Sequence, residues 1–165
     1  MEFEIIKLQT KEGKDIPLKK SAAMLSNYLK RNIQEGKDQQ GPISIAEVDD
    51  KIVEKILDYL INYNGVPPKE IEKPLQSDDM KKATDEFSSN FIDNLNLDEL
   101  ICLLKAASFL EINSLIDLCC AKCAAMCFEK SEEDIFKVFN ITECLTEDEK
   151  NKIREEMRWI EGNLD

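Results

Sequence analysis

The chain has 165 residues, enough for one ordinary domain with an appended subdomain, and it carries 34 acidic against 22 basic residues, a formal net charge of −12. Such a charge repels nucleic-acid backbones and anionic membrane surfaces, so we expect protein partners and neither nucleic acid nor membrane. The sequence contains no histidine, which removes the usual general base and the commonest zinc ligand.

The N-terminal stretch predicts a β-hairpin. A short strand from Phe3 to Leu8 and a second strand over residues 16–18 flank the turn signal Glu12-Gly13. Pro17 has no backbone N–H to donate to a neighbouring strand. We therefore expect the second strand to lie at an edge of its sheet.

A helix, a short strand and a second helix are predicted next. Helical spacing over residues 21–33 is followed by a polar loop over residues 35–42, and Ile43-Ser44-Ile45 supplies one more short strand. Between residues 52 and 61 the apolar positions recur at intervals of three and four, which predicts an amphipathic helix. Asn64-Gly65 is a typical signal for the end of that helix.

Residues 66–82 contain three prolines and eight charged residues. This composition predicts a surface loop with little to pack against the core. We expect its deletion to cost little stability.

The second half of the chain is predicted to be helical. Helical segments are expected over residues 84–93, 97–110 and 112–128, and the last of these is apolar nearly all round. Together with the early strands, this pattern indicates the α+β class. Two further short helices are marked by capping-box residues, Ser131 with Asp134 and Thr146 with Glu149.

Four cysteines fall within nine residues of the apolar helix: Cys119, Cys120, Cys123 and Cys127. Three of them are spaced four apart, so they line one helix face as small apolar side chains do, and no second cysteine pair exists to complete a zinc site. Without a signal peptide, the thiols are expected to be reduced. We favour a structural role for them, with a cysteine-ligated metal or redox protein as the alternative from another class.

Motifs typical of enzymes are absent from the sequence. There is no GxxxxGK phosphate loop and no GxSxG nucleophile elbow. The acidic clusters at residues 132–134 and 147–149 open predicted helices, where carboxylates are favoured by the helix dipole. We therefore expect no enzyme, no cofactor and no metal, and an interaction protein becomes the leading class.

Three stretches, in order along the chain, resemble one protein family. They are IIKLQTKEGKDIPL near the start, AASFLEINSLIDLCCAKCAAMC in the helical centre, and SEEDIFKVFNI followed by TEDEK and REEMRWIE at the end. In these motifs the chain is similar to the Skp adaptors of Skp–cullin–F-box (SCF) ubiquitin ligases. Elongin C, a relative of that family, is the poorer match because it stops before the last two helices.

The resemblance implies a BTB/POZ domain over residues 1–128 and a helical extension for F-box binding and dimerisation over residues 129–165. It further implies a non-catalytic adaptor of the cytoplasm and nucleus. Such an adaptor bridges a cullin scaffold to interchangeable F-box substrate receptors for ubiquitin-dependent degradation, and it can form a weak homodimer when free. A divergent Skp-like subunit of an F-box complex without cullin is the alternative within the same class.

The resemblance also implies a cullin-facing surface. It centres on Ser108 and Phe109, with Ile43 and Ile45 nearby. The family usually has Asn-Tyr where this chain has Ser108-Phe109, and it has Trp where this chain has Phe87. These departures leave F-box binding better supported than cullin binding.

The lone tryptophan, Trp159, lies in a highly charged terminal helix. At 100° per residue, Ile153, Met157 and Ile160 share one narrow stripe, and Trp159 falls about 120° away from it. We expect the stripe to pack inward and Trp159 to face an F-box partner, as the resemblance implies. The residues expected to contribute to F-box binding are Leu100, Leu104, Leu115, Ile116, Cys119, Ile135, Phe139, Ile141, Ile153, Met157 and Trp159.

Overall fold

The computed structural model describes residues 4–142 and 145–161, with side chains as far as Arg158. Phe3, expected in the first strand, and the side chain of Trp159 lie outside the described residues. The chain divides into two compact units, Met1–Phe128 and Glu129–Asp165, which we call the first unit and the terminal unit.

The described strands of the first unit form one small sheet. They are β1 (Ile5–Gln9), β2 (Asp15–Lys19) and β3 (Ile43–Ser44), in the order β2-β1-β3, with β2 antiparallel and β3 parallel to β1. Period-two alternation turns one face of the hairpin into the core, where Ile6, Leu8 and Leu18 are buried. The predicted hairpin and third strand are confirmed.

Pro17 occupies the open edge of β2, as its sequence position predicts. The N–H of Lys20 donates to the Glu4 carbonyl at 2.9 Å and that of Thr10 donates to the Lys14 carbonyl at 3.0 Å. Along an antiparallel pair, the backbone N–H and C=O groups of successive residues point alternately toward and away from the neighbouring strand. The backbone groups of the even-numbered residues of β2 therefore point toward β1, and the backbone of Pro17 points away from it. The missing N–H therefore falls where the edge would otherwise offer a donor.

The helix predicted over residues 21–33 is interrupted. It is replaced by α1 (Lys20–Ala23) and α2 (Asn27–Gln34), separated by a turn at Ser26. The Ser26 hydroxyl accepts from the Leu29 N–H at 3.1 Å, which caps α2, and donates to the Leu110 carbonyl at 2.6 Å. The periodicity alone could not reveal this break, because the partner that fixes the cap lies 84 residues along the chain.

A short helix, α3 (Lys37–Gln40), lies in the segment predicted as a polar loop. It follows Gly36, whose φ of 71° lies in the left-handed region. The Lys20 ammonium contacts the Asp38 carboxylate at 2.9 Å, which ties α3 to the end of β2.

The predicted amphipathic helix is α4 (Asp50–Tyr63). The Asp49 carboxylate accepts from the Lys51 N–H at its start, and Asn64 ends it in the left-handed conformation. Gly65 follows with a φ of 86°, and a Cβ there would lie 2.4 Å from the Ser21 carbonyl oxygen. Only glycine allows the chain to pass this close to α1.

The loop after α4 packs more closely than its composition predicts. Near the end of residues 66–82, Met80 begins α5 (Met80–Ala83) and is only 1% exposed. Ile71 and Leu75, earlier in the same segment, pack against the core. The expectation that residues 66–82 have little to pack is therefore wrong. The three apolar side chains are widely spaced among the charges, so no periodic signal marks them.

The remaining helices of the first unit are α6 (Glu86–Asp93), α7 (Leu97–Leu110) and α8 (Asn113–Cys127). A full capping box between Asn96 and Glu99 begins α7. The neighbouring helices α7 and α8 contribute Leu103, Leu115 and Leu118 to the core. The predicted helical second half is confirmed.

The terminal unit contains α9 (Glu132–Val138) and α10 (Glu147–Glu161). Both predicted capping positions are confirmed: the Ser131 hydroxyl accepts from the Asp134 N–H, and Thr146 exchanges hydrogen bonds with Glu149. With the small sheet and these helices, the α+β class is confirmed. Within the described ranges, no helix is long and apolar enough to cross a membrane.

Candidate protein-binding surfaces

The terminal unit leaves its large apolar side chains exposed. Ile141, Leu145, Ile153 and Met157 retain 43%, 51%, 41% and 50% of their surface, and we call this group the terminal apolar surface. Among the residues described after Phe128, none is fully buried. Contiguous exposed apolar patches mark sites of protein–protein contact, and of this group Ile153 and Met157, one turn apart on α10, lie on the same side of a helix.

The expectation that the α10 stripe packs inward is wrong for its described members, Ile153 and Met157. Residues 147–158 of α10 are exposed except for Lys150, which is half-buried. The helix is highly charged, and a unit of this size has too few apolar residues to enclose a core. Both side chains are therefore available to a partner, as their assignment to F-box binding requires.

A Schellman motif ends α9 and orients Ile141. The Ile141 N–H donates to the Phe136 carbonyl at 2.8 Å, and the Asn140 N–H donates to the Lys137 carbonyl at 3.3 Å. Asn140 has a φ of 52°, which asparagine tolerates better than most residues. Ile135 and Phe139 are half-buried beside this turn. The Phe-Asn-Ile sequence therefore ends α9 and leaves the apolar side chain of Ile141 exposed.

The residues assigned to F-box binding in the first unit differ in their accessibility. Leu100, Leu115 and Cys119 are at most 2% exposed and fill the core. Leu104 and Ile116 are half-buried and reach the surface. Only these last two could touch a partner directly, and the buried three could act only by supporting the helices that carry them.

Around Phe109 the structure brings together three elements. The Phe109 ring packs on Tyr28 of α2 with ring centroids 4.9 Å apart, and the Tyr28 hydroxyl donates to the Ser44 carbonyl of β3 at 3.0 Å. Ser108 is exposed beside them. Tyr28 is not among the residues that the sequence predicts for this surface, although its place on the apolar stripe of α2 and its polar tip are signals for such a bridging position.

Ile43 and Ile45, expected near the cullin-facing surface, are 4% and 2% exposed. Both side chains belong to the core of the first unit. A partner approaching β3 would therefore meet Ser44 and the backbone and not these isoleucines.

Of the four cysteines of α8, three are buried or half-buried and Cys120 is exposed. Cys119 is buried, and its burial raises the pKa of the thiol to about 12, while burial also raises the pKa of Cys123. Such thiols stay protonated at neutral pH and are poor nucleophiles and metal ligands. In the part of the chain that the structure describes, no group of three or more Cys, Asp or Glu residues is arranged to hold a metal ion.

An aromatic cluster supports α6 against α4. Phe87 packs edge-on against Tyr63 at a centroid distance of 5.6 Å and stacks on Phe91 at 5.7 Å. The Tyr59 hydroxyl donates to the Ser114 hydroxyl oxygen at 3.0 Å, and burial raises the pKa of Tyr59 to about 12. Burial also raises the pKa of Tyr63, so both phenols are neutral at physiological pH and act by packing.

Two family models match the sequence. Residues 4–65 match the tetramerisation domain of the Skp1 family, which is a POZ domain, and residues 113–160 match the dimerisation domain of the same family.

Similar proteins match over nearly their whole length. An S-phase kinase-associated protein 1 homolog of Tetrahymena thermophila is 36% identical over 156 residues, which cover 94% of this chain and 93% of that protein. The SCF ubiquitin ligase complex protein SKP1a of Dictyostelium discoideum is 32% identical over 163 residues, or 96% and 97% of the two chains. The E3 ubiquitin ligase complex SCF subunit sconC of Arthroderma benhamiae is 28% identical over 156 residues, or 94% of each.

Proposed function

This chain belongs to the Skp1 family, and on that premise we propose that it is the adaptor subunit of an SCF-type ubiquitin ligase. In this role it joins an F-box substrate receptor to a cullin scaffold. It contributes surface complementarity and no catalytic chemistry. We place its action in the cytoplasm and nucleus.

The terminal apolar surface is the observation that carries this proposal. A monomeric soluble protein rarely exposes a large contiguous apolar patch, so apolar side chains exposed next to one another favour a binding site. Ile153 and Met157 lie one helical turn apart on α10, so both point to the same side. A helix of an F-box protein that covers them would remove that apolar area from water, which favours association.

For the cullin we propose the surface formed by Ser108 and Phe109 with Tyr28. Ser108 is exposed, and Phe109 is half-buried beside Tyr28. Because the Tyr28 hydroxyl is hydrogen-bonded to the Ser44 carbonyl and its ring packs at a tilt against Phe109, the surface is held in place before a partner arrives. Preorganisation of this kind lowers the entropic cost of binding.

A pair of substitutions tests both surfaces in the full-length protein. Met157→Ala should weaken the binding of an F-box domain by at least about tenfold and leave cullin affinity unchanged. Phe109→Ala should weaken the binding of the cullin by at least about tenfold and leave F-box affinity unchanged. Titration calorimetry of each variant with an F-box domain and with the N-terminal domain of a cullin gives all four affinities. The proposal fails if wild-type protein binds no F-box domain, or if neither substitution changes either affinity.

A divergent subunit that binds F-box proteins without a cullin is the second candidate. It is favoured by the burial of Ile43 and Ile45 and by the partial burial of Phe109, which leave little apolar area at the cullin-facing surface. Wild-type protein that binds an F-box domain in the calorimeter but not the cullin would identify this case.

We further propose that the free chain associates weakly with itself. The dimerisation and tetramerisation that describe the two matching family models support this proposal.

A further inference from the structure

A stripe rich in thiols runs along the partly exposed side of α8. At 100° per residue, Ile116, Cys120, Cys123 and Cys127 fall within about 60° of one another around the helix. Cys120 is exposed and the other three side chains are half-buried, whereas Cys119, just outside the stripe, is buried. The stripe is therefore the boundary at which α8 leaves the core, and it brings an exposed thiol next to half-buried ones.

Cys120 and Cys123 are the pair best placed to react with each other. Residues three apart on a helix have Cβ atoms about 5–6 Å apart, whereas a disulfide needs a Cβ separation of about 3.5–4.5 Å. A shift of about 1–2 Å within one helical turn is therefore enough to join them. Cys127 lies about 10 Å along the helix axis from Cys120, which is too far for a disulfide.

The two thiols differ in their access to solvent and in their protonation. Cys120 is exposed and can meet an oxidant in water, whereas burial raises the pKa of Cys123 and keeps that thiol protonated at neutral pH. The Lys73 ammonium lies 2.8 Å from the Asp117 carboxylate. That hydrogen bond raises the pKa of Lys73, and Cys120 contributes to the same shift to a smaller extent. Positively charged neighbours are typical of reactive cysteines, so Cys120 should react first.

We propose that Cys120 and Cys123 form a peroxide-sensitive dithiol whose closure to a disulfide lowers the affinity of this chain for an F-box protein. The effect on F-box binding rests on the proposed function. The dithiol chemistry stands on the geometry of α8 alone.

The reaction has two steps. In the first, the Cys120 thiolate attacks one oxygen of hydrogen peroxide, so that an S–O bond forms, the O–O bond breaks, and hydroxide leaves and takes up a proton. In the second, the Cys123 sulfur loses its proton and attacks the sulfur of this sulfenic acid. An S–S bond forms, the S–O bond breaks and water leaves. The two thiols lose two electrons and two protons, and one peroxide becomes two waters.

Closure of the disulfide would deform α8 where it is tightly held. The turn between the two cysteines contains Lys122, whose ammonium contacts the Asp93 carboxylate of α6 at 2.6 Å, and Ala121, which is buried. A packed interior has little room for a shift of about 1 Å, so the strain passes to neighbouring side chains. Ile116 lies one turn before Cys120 on the same stripe and is assigned to F-box binding. We expect its position to change when the disulfide forms.

Mass spectrometry of the full-length protein after treatment with hydrogen peroxide tests the chemistry. The expected disulfide lowers the mass by about 2 Da. Trypsin cleaves after Lys122, between the two cysteines, so the disulfide should join peptides 106–122 and 123–130, and fragmentation identifies the bonded sulfurs. Cys120→Ser should give no linked peptides. Cys123→Ser should stop at a sulfenic acid on Cys120, which dimedone traps.

Cys102→Ser is the matched control, because Cys102 is also exposed but lies on α7, and it should leave the linked peptides unchanged. Circular dichroism melting of each reduced variant confirms that it is folded. Linked peptides in Cys120→Ser at the wild-type yield would overturn the proposal. Oxidation of wild-type Cys120 to a sulfinic acid without any disulfide would also overturn it.

Titration calorimetry with an F-box domain tests the consequence for binding. Oxidised wild-type protein should bind at least about threefold more weakly than reduced protein, because the partner then meets a deformed α8, and a reductant should restore the affinity. Cys120→Ser should bind like reduced wild type before and after peroxide, which excludes an effect of methionine oxidation.

Two calorimetric results would contradict different parts of the argument. Unchanged affinity of protein that carries the disulfide by mass would overturn the proposed effect on binding. Reduced wild-type protein that binds no F-box domain would overturn the proposed function and the binding effect that rests on it, whereas the linked peptides decide the dithiol independently.

Discussion

In the first unit, Leu103 and Leu115 expose none of their surface, whereas in the terminal unit Ile153 and Met157 keep 41% and 50% of theirs. All four side chains lie on helices and have similar hydrophobicity, so their burial is set by what surrounds them. Helices that pack on a sheet and on each other can close a core. Two helices with charged faces do not close one, and their exposed apolar side chains become binding surface.

Truncation of a core leucine should produce the largest effect. Leu103→Ala should lower the free energy of unfolding by about 2–5 kcal/mol, because a cavity remains where the side chain is fully buried. Ile153→Ala, which truncates an exposed side chain, should change it by less than about 0.5 kcal/mol. Urea denaturation of both variants makes the comparison, and similar losses in the two would contradict it.

Met80 tests whether burial, and not composition, sets the contribution of a residue to stability. Its side chain is buried although residues 66–82 have the composition of a surface loop. Met80→Ala should cost about 2–3 kcal/mol of unfolding free energy. Met24→Ala is the matched control, since Met24 is 36% exposed, and it should cost less than about 0.5 kcal/mol. Equal melting temperatures for wild type and Met80→Ala would show that the loop contributes no packing.

The role of the terminal unit in F-box binding can be tested at Trp159. Its side chain lies outside the described residues, and the prediction from sequence stays: Trp159→Ala should weaken F-box binding by at least about 30-fold, or about 2 kcal/mol, and barely alter stability. The only tryptophan of the chain should shift its emission to the blue when an F-box peptide without tryptophan is added. Emission that is already blue in the free protein, and unmoved by the peptide, would assign Trp159 to packing.

The Schellman motif of α9 should give the smallest effect. Asn140→Val places a β-branched residue at a φ of 52°, which should cost about 1–2 kcal/mol locally and misdirect Ile141. F-box affinity should fall by about fivefold and by no more than about thirtyfold, with little change in the melting of the first unit. Asn140→Gly keeps the positive-φ conformation accessible and should retain wild-type F-box affinity. A loss of affinity in Asn140→Gly would show that the backbone conformation at residue 140 is not the cause.

The sequence predicted those parts of the fold that depend on neighbouring residues. The hairpin, α4, α7 and the caps at Ser131 and Thr146 were predicted correctly, because their signals lie within a few residues of the structure they produce. The break at Ser26 was not, since it depends on the carbonyl of Leu110. The burial of Met80 likewise depends on packing partners distant in the chain.

For the candidate surfaces, the sequence predicted which residues share a helix face more reliably than whether those residues are exposed. Periodicity placed Ile153 and Met157 on one stripe but could not reveal that the stripe is exposed. The family resemblance pointed to Phe109 but could not show that Tyr28 covers part of its ring. Both gaps concern contacts between elements, which a single sequence does not encode locally.

Each outer edge of the described sheet is blunted at one position, by Pro17 on β2 and by the Tyr28 hydroxyl on the Ser44 carbonyl of β3. Unprotected edge strands recruit further strands and can seed amyloid fibrils. In the adaptor role proposed above, the chain keeps apolar side chains uncovered between partners, which is when the addition of further strands would do most harm. Blunted edges lower the risk that an exposed binding surface is accompanied by a template for fibril growth.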